Sequence, residues 1–297
     1  MRFENESKHE SSRLYLTDSD QLYLNGITER LTGSGLLAGL TFEPGTIVTE
    51  GHWMESGYGH SDRRVQLEAV KSLSGASARF RPAIFVHELG HNIFADSFFA
   101  WIGKLTGKHE NLREARRVDR ESGKYYPTPE EVKAWEDQRH ALLEPVAERL
   151  GMDVEEFDMM MNWPSDARSS YEELFCDLLP SLFFKDPKSM KTALTKLTGK
   201  KPRHALRAFA GDHDPATWTD AEPHRALAPV RSYLGKSFFA KKLYRDRERS
   251  EKLLSTVFGI AAKEIFALQK GEWKFEVSLA NQRFIEALKE ELGDAGN

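Results

Sequence analysis

The sequence predicts an α+β protein that is mostly helical, with a small β-containing lobe at the N-terminal end and a helical lobe after it. Three observations carry that reading. Short β-type runs bounded by Asp, Asn, Gly and Pro fall at residues 13–16, 21–24 and 46–50. Residues 82–106 read as one long helix, with Pro82 suited to its first position and Gly107 to its stop. Beyond Gly107 the chain reads as almost wholly helical. The expected division is residues 1–108, ending in the long helix, and residues 109–297, the two forming one unit.

Taken in order, residues 51–63 form a loop rich in Gly and aromatic residues, and a shorter helix is expected before Gly75. Residues 108–127 are polar and read as irregular. Thr128-Pro129-Glu130-Glu131 is a capping box that opens a helix to about Leu150, where Pro145 should introduce a kink. Further helices are expected at 153–161, 169–184, 187–198, 202–210, 223–242, 245–269 and 278–292, with Gly271-Glu272 separating the last two. No internal repeat or low-complexity tract is visible.

The long helix would run about 37 Å at the α-helical rise and is apolar on more than one face, which marks it as buried. His87, Glu88 and His91 interrupt that apolar surface, and two imidazoles and a carboxylate are costly in a core without partners. His87 and His91 are i,i+4 and leave the same face, so both can bind one metal ion. Glu88 is rotated by about 100° from His87, beside the metal, where a general base would stand. This is the HExxH pattern of zinc hydrolases.

A catalytic zinc usually has three protein ligands and an open position. The extended HExxHxxGxxH pattern is excluded, because Phe94 and Ser97 stand where it needs Gly and His. Residues 169–180 offer an alternative, since Asp177 lies within an apolar Leu-Phe-Cys-Asp-Leu-Leu stretch and shares a helix face with Glu173. Such a face can give one carboxylate to the metal and the other to the ring N–H of a ligating histidine. Glu172 and Glu173 also admit a capping reading, as Ser169 with Glu172 or Ser170 with Glu173 fits S-x-x-E. Cys176 reads as a small core residue.

On these residues the sequence resembles the gluzincins, the thermolysin-like zinc peptidases, which pair HExxH with a later helix bearing E-x-x-x-D. The resemblance implies a zincin-like fold, a Zn2+ cofactor and a peptide or protein substrate. It implies that His87, His91 and Glu173 are ligands, that Glu88 is the base and that Asp177 holds His87. It covers about residues 82–182, and the two motifs lie further apart than in thermolysin, with the 128–150 helix inserted between them.

Peptide hydrolysis on zinc builds an oxyanion that calls for a further donor. His224 is a candidate because Pro223 suggests a helix start, whose dipole would lower the His224 pKa and favour its neutral form. Arg231, seven residues on, returns to the same face, with Pro229 between them; Tyr233 is a weaker candidate. His204 and His213 compete, whereas His140 lies on a charged helix and reads as solvated. Trp53-Met54-Glu55-Ser56 is similar to the GxMEN loop by which aminopeptidases of this clan bind a free amino terminus, but the Gly is displaced to Gly51 and Ser56 replaces Asn.

Composition bounds the remaining classes. The chain has 297 residues, 40% hydrophobic and 30% charged, as in ordinary globular proteins. A net charge of -4 gives no general attraction to nucleic acid, and the basic residues between Lys241 and Arg249 are interleaved with acids, as on a solvated helix face. The single cysteine, Cys176, excludes an intrachain disulfide and a cysteine-built zinc site. No transmembrane stretch and no signal-peptide h-region are seen, which reads as cytoplasmic for a native start and also fits the mature form of an exported or periplasmic protein. Two other functions share these features, a zinc hydrolase of another amide such as a cell-wall peptide, and a non-catalytic binding protein on the same fold. Oligomeric state is not readable.

Overall fold

The computed structural model describes residues 2–5, 18–43, 46–50, 57–59, 64–68, 81–122, 128–162 and 165–293. The chain is mostly helical, as the sequence predicts. Four short strands, Arg2–Asn5 (β1), Thr46–Glu50 (β2), Gly57–Gly59 (β3) and Arg64–Glu68 (β4), pair in the order β1-β2-β4-β3. β1 and β4 run parallel to β2, with Val48 opposite Gln66, whereas β3 runs antiparallel to β4. The run at 46–50 is thus a strand, and part of the expected loop at 51–63 is β3. The run at 21–24 is not a strand. It lies in α1, Asp18–Gly33, where Leu24, Ile27 and Leu31 are buried at helical spacing. That 3.6-residue period outweighs the β propensity of a four-residue window. Residues 13–16, 53–56 and 69–80, with the expected strand, the GxMEN-like stretch (Glu55 included) and the expected helix before Gly75, lie outside the described residues.

The long helix is α2, Arg81–Thr106. It ends where Gly107 adopts a φ of 69° and donates its N–H to the Gly103 carbonyl at 2.9 Å, a left-handed stop that glycine takes without strain. Its principal partner is α6, Asp166–Phe183, opened by Ser165, whose hydroxyl accepts the Arg168 N–H. The two helices cross closely at one glycine. A Cβ on Gly90 would sit 3.1 Å from both Cα and Sγ of Cys176, so even alanine there would require Cys176 to give by a few tenths of an ångström. Phe94 packs its ring against Phe175 of α6 and Phe258, each with centroids 5.4 Å away.

The remaining helices wrap this pair. Residues 109–122, expected to be irregular, form α3 (His109–Ser122). Its apolar stripe is only Leu112, Ala115 and Val118, narrow enough to be lost among charged residues, yet all three are buried. Thr128 caps α4 (Pro129–Leu150) through the expected capping box, its N–H reaching Glu131 Oε2 at 2.8 Å. The helix continues through Pro145 to a left-handed Gly151. α5 (Val154–Asn162), α7 (Ser189–Thr198), a 3-10 helix at Pro202–Arg207, α10 (Arg247–Gln269) and α11 (Val277–Leu292) follow. The single helix expected over 223–242 is broken into α8 (Pro223–Ala226), α9 (Ala228–Leu234) and a π-helical turn at Gly235–Phe239. One hydrophobic cluster extends from Leu24 of α1 to Leu288 of α11. No helix among the described residues is long and apolar enough to cross a membrane.

Candidate metal centre

The crossing of α2 and α6 brings the two sequence motifs face to face. His87 Nε2 lies 3.4 Å from Glu173 Oε2, and His91 Nε2 lies 3.5 Å from Glu173 Oε1. Zinc–ligand bonds of about 2.1 Å at tetrahedral angles would separate ligand atoms by roughly 3.4 Å, so the observed spacings suit a shared ion. The far nitrogen of each ring faces a carboxylate. His87 Nδ1 is 3.3 Å from Asp177 Oδ1, and His91 Nδ1 is 2.8 Å from Glu172 Oε1. These contacts fix both rings with Nε2 turned toward Glu173, the arrangement that prepares a histidine to ligate.

Two overlapping groups have donor atoms close enough to hold a metal: His87, Glu88 and His91, and His87, Glu173 and Asp177. Chemistry narrows the set. Both oxygens of Asp177 are engaged, since Arg207 Nε donates to each at 2.9 Å and Arg231 lies 2.7 Å from Oδ2. Asp177 is thus held by two arginines. The sequence-expected set His87, His91 and Glu173, two nitrogens and a carboxylate, draws on both groups, with Arg207 also on Glu173 Oε2 at 3.1 Å. Glu88, one residue from His87 along α2, is buried beside them; burial pushes its carboxyl up, against the pull of His87 and His91.

Glu172 corrects the capping reading. α6 begins at Asp166, so Glu172 stands in its second turn, too deep to cap, and is buried against His91. Arg168, one turn earlier, lies 3.8 Å from Glu172 Oε2 and donates to the Met160 and Met161 carbonyls, linking the end of α5 to this pair. Burial lowers the pKa of His91, but Cys176, Glu172 and Glu173 more than offset it and the net shift is well upward. A metal must displace that proton. Cys176 is buried against His91, and burial raises its thiol far above the reactive range.

His224 is brought to the site, but not in the expected electrostatic state. Its Nε2 lies 3.3 Å from Glu173 Oε1, while Nδ1 contacts Glu222 Oε1. Burial lowers the pKa, yet the two carboxylates outweigh it and the net shift is upward, overriding the dipole of a helix only four residues long. Arg231 is not beside His224, because the chain breaks at Leu227 between α8 and α9. Its side chain is wholly buried, with its guanidinium on Asp177, so it backs that carboxylate and does not face the reacting side. Tyr233 turns its ring toward Lys289 of α11. His204 is buried near Thr198, His213 packs on Trp218 at 4.8 Å, and His140 pairs with Asp158 at 3.3 Å; none belongs to either donor group.

The residue that sequence reasoning missed is Arg207, at the end of the 3-10 helix. Its NH2 donates to Asp177 Oδ1 at 2.7 Å and to Glu173 Oε2 at 3.1 Å, and lies 3.2 Å from His87 Nε2. Burial raises the pKa values of Glu173 and Asp177, but chiefly the Arg207 guanidinium drives both below the usual carboxylate range, with Arg231 adding to the effect at Asp177. Nothing in Lys-Lys-Pro-Arg-His-Ala-Leu-Arg distinguishes Arg207 from the neighbouring cations. No protein-family model, curated protein or solved structure matches this chain.

Proposed function

We propose that the protein is a zinc-dependent metallopeptidase of gluzincin type on a zincin-like fold, with His87, His91 and Glu173 holding the metal. The observation that carries this reading is the approach of the two Nε2 atoms to different oxygens of one buried glutamate, while Asp177 and Glu172 face the opposite ring nitrogens. Zinc, when bound there, would supply Lewis-acid chemistry, polarising a carbonyl and acidifying water. Glu88 takes the proton of the attacking water and delivers it to the leaving amine. His224, held by Glu222 through Nδ1 and facing Glu173 through Nε2, would serve as a donor to the carbonyl oxygen if a metal took its place on Glu173. Asp177 orients His87, and Arg231 keeps Asp177 charged and in place.

The sheet supports a peptide as substrate. β3 is an edge strand of the sheet among the described residues and lies beside α2, and a sheet edge is where an extended chain adds as a further strand. Glu88→Gln tests the mechanism, since it keeps the shape of the side chain and removes the proton acceptor. The variant should fold and bind zinc as the wild type does, yet cleave a peptide library at least ~100-fold more slowly. Unchanged turnover would refute Glu88 as the base. A zinc-loaded wild type that cleaves no peptide pool would favour a binding protein on this fold, and cleavage confined to cell-wall peptides would redirect the substrate class.

A further inference from the structure

Arg207 is held in two ways at once. Its Nε and NH2 grip Asp177 through contacts of 2.7–2.9 Å, an anchor reinforced from the other side by Arg231. The same NH2 also reaches past Asp177, 3.4 Å from His87 Nδ1, to Glu173 Oε2 at 3.1 Å and His87 Nε2 at 3.2 Å. Those are two of the atoms that the proposed function assigns to zinc. Lying about as close to Nδ1 as to Nε2, this NH2 is off the in-plane lone pair of Nε2, so its direct competition with a metal is at Glu173 Oε2. A guanidinium this close to a divalent ion would also be repelled by it, and Arg cannot relieve that repulsion by losing its proton.

We propose that Arg207 is a resident cation of the metal centre. Its guanidinium and the zinc ion are alternative partners for Glu173 Oε2, so metal loading is an exchange of one for the other. The inference rests on the metal-site reading above. Asp177 is the pivot of the exchange, because its bonds to Nε of Arg207 involve neither Glu173 nor His87. Two consequences separate this from a plain structural salt bridge. The buried carboxylates of Glu173 and Asp177 have cationic partners without metal, so the metal-free protein should stay folded. Removing the Arg207 charge should favour zinc, whereas loss of a merely supportive residue should weaken zinc binding.

The test compares wild type, Arg207→Gln, Arg207→Met and Arg207→Lys. Zinc affinity is measured by competition with a chromogenic chelator, and thermal unfolding is followed with EDTA and with saturating zinc. Arg207→Gln retains hydrogen bonding to Asp177 and provides the comparison if Arg207→Met does not fold. Expected are zinc affinity at least about tenfold tighter in the uncharged variants, wild-type-like affinity in Arg207→Lys, and a lower Tm in EDTA for Arg207→Gln and Arg207→Met. The Tm increase on adding zinc should be larger in those two variants than in wild type, following from tighter binding to the folded state. Wild type that binds zinc while Arg207→Gln binds it equally or more weakly would overturn the exchange and leave the metal centre standing. Wild type that takes up no zinc would overturn the metal centre itself.

Discussion

Helix α2 carries two sets of buried polar residues on roughly opposite sides, and they are satisfied in different ways. Toward α6 stand His87, Glu88 and His91, among Glu172, Glu173, Asp177 and Arg207. On the other side stand Asn92, Asp96 and Ser97, whose partners are mainly backbone. Asn92 Nδ2 donates to the Glu43 carbonyl at 2.8 Å, and Asp96 accepts the Glu43 N–H at 2.9 Å. Ser97 Oγ accepts the Thr41 N–H at 2.9 Å, and Arg116 of α3 pairs with Asp96 at 2.7 Å over the face of Phe99. There the backbone groups of residues 41 and 43 meet side-chain partners and the carboxylate meets one cation, which pins residues 41–43 to α2. Around His87 and His91, ring nitrogens and carboxylate oxygens converge on each other. Arg207 stands among them as the cation, and this convergence is the grouping that can hold a metal, whereas the Asp96 side is paired as a structural contact is.

Three experiments would break or sharpen this contrast. The largest effect is expected from Glu173→Ala, which removes both oxygens facing the histidines. Elemental analysis should show about one zinc per chain in the wild type and little or none in the variant. Retention of stoichiometric zinc would place Glu173 outside the site. A smaller loss is expected from Glu172→Ala and Asp177→Ala, which remove the partners of His91 and His87 but no ligand. Each should weaken zinc by about 10- to 100-fold in chelator competition, and wild-type affinity in both would show that the rings need no carboxylate support. The least effect on the metal is expected from Asp96→Ala. It should leave zinc affinity unchanged and lower the unfolding free energy by about 3 kcal/mol, because Arg116 stays buried without that carboxylate. Loss of zinc from Asp96→Ala in denaturant-free buffer would erase the distinction between the two sides of α2.

Much of the site was legible because its parts are local. The i,i+4 pairs His87/His91 and Glu173/Asp177 lie on single helices, so helical geometry alone fixes which side chains share a face. The apolar residues around them announced burial, and buried imidazole and carboxylate imply partners. The same reasoning placed α2, the capping box of α4 and the strand at 46–50. It failed where a weak local signal met a stronger one. The 21–24 run yielded to the period of α1, and the charged stretch after Gly107 hid the narrow stripe of α3.

What the sequence by itself determined is the inventory of the cluster, two histidines, the glutamate beside them and an acidic pair on two buried helices. What only the tertiary structure decided is how those groups are paired. Glu172 looked like a cap until the start of α6 at Asp166 placed it against His91. Arg231 seemed to share a face with His224 until the break at Leu227 sent it to Asp177. Arg207 gave no sign at all, being one basic residue among several. The reason is physical. A helix fixes neighbours three and four residues apart, but charges separated by tens of residues meet only through the packing of the elements that carry them.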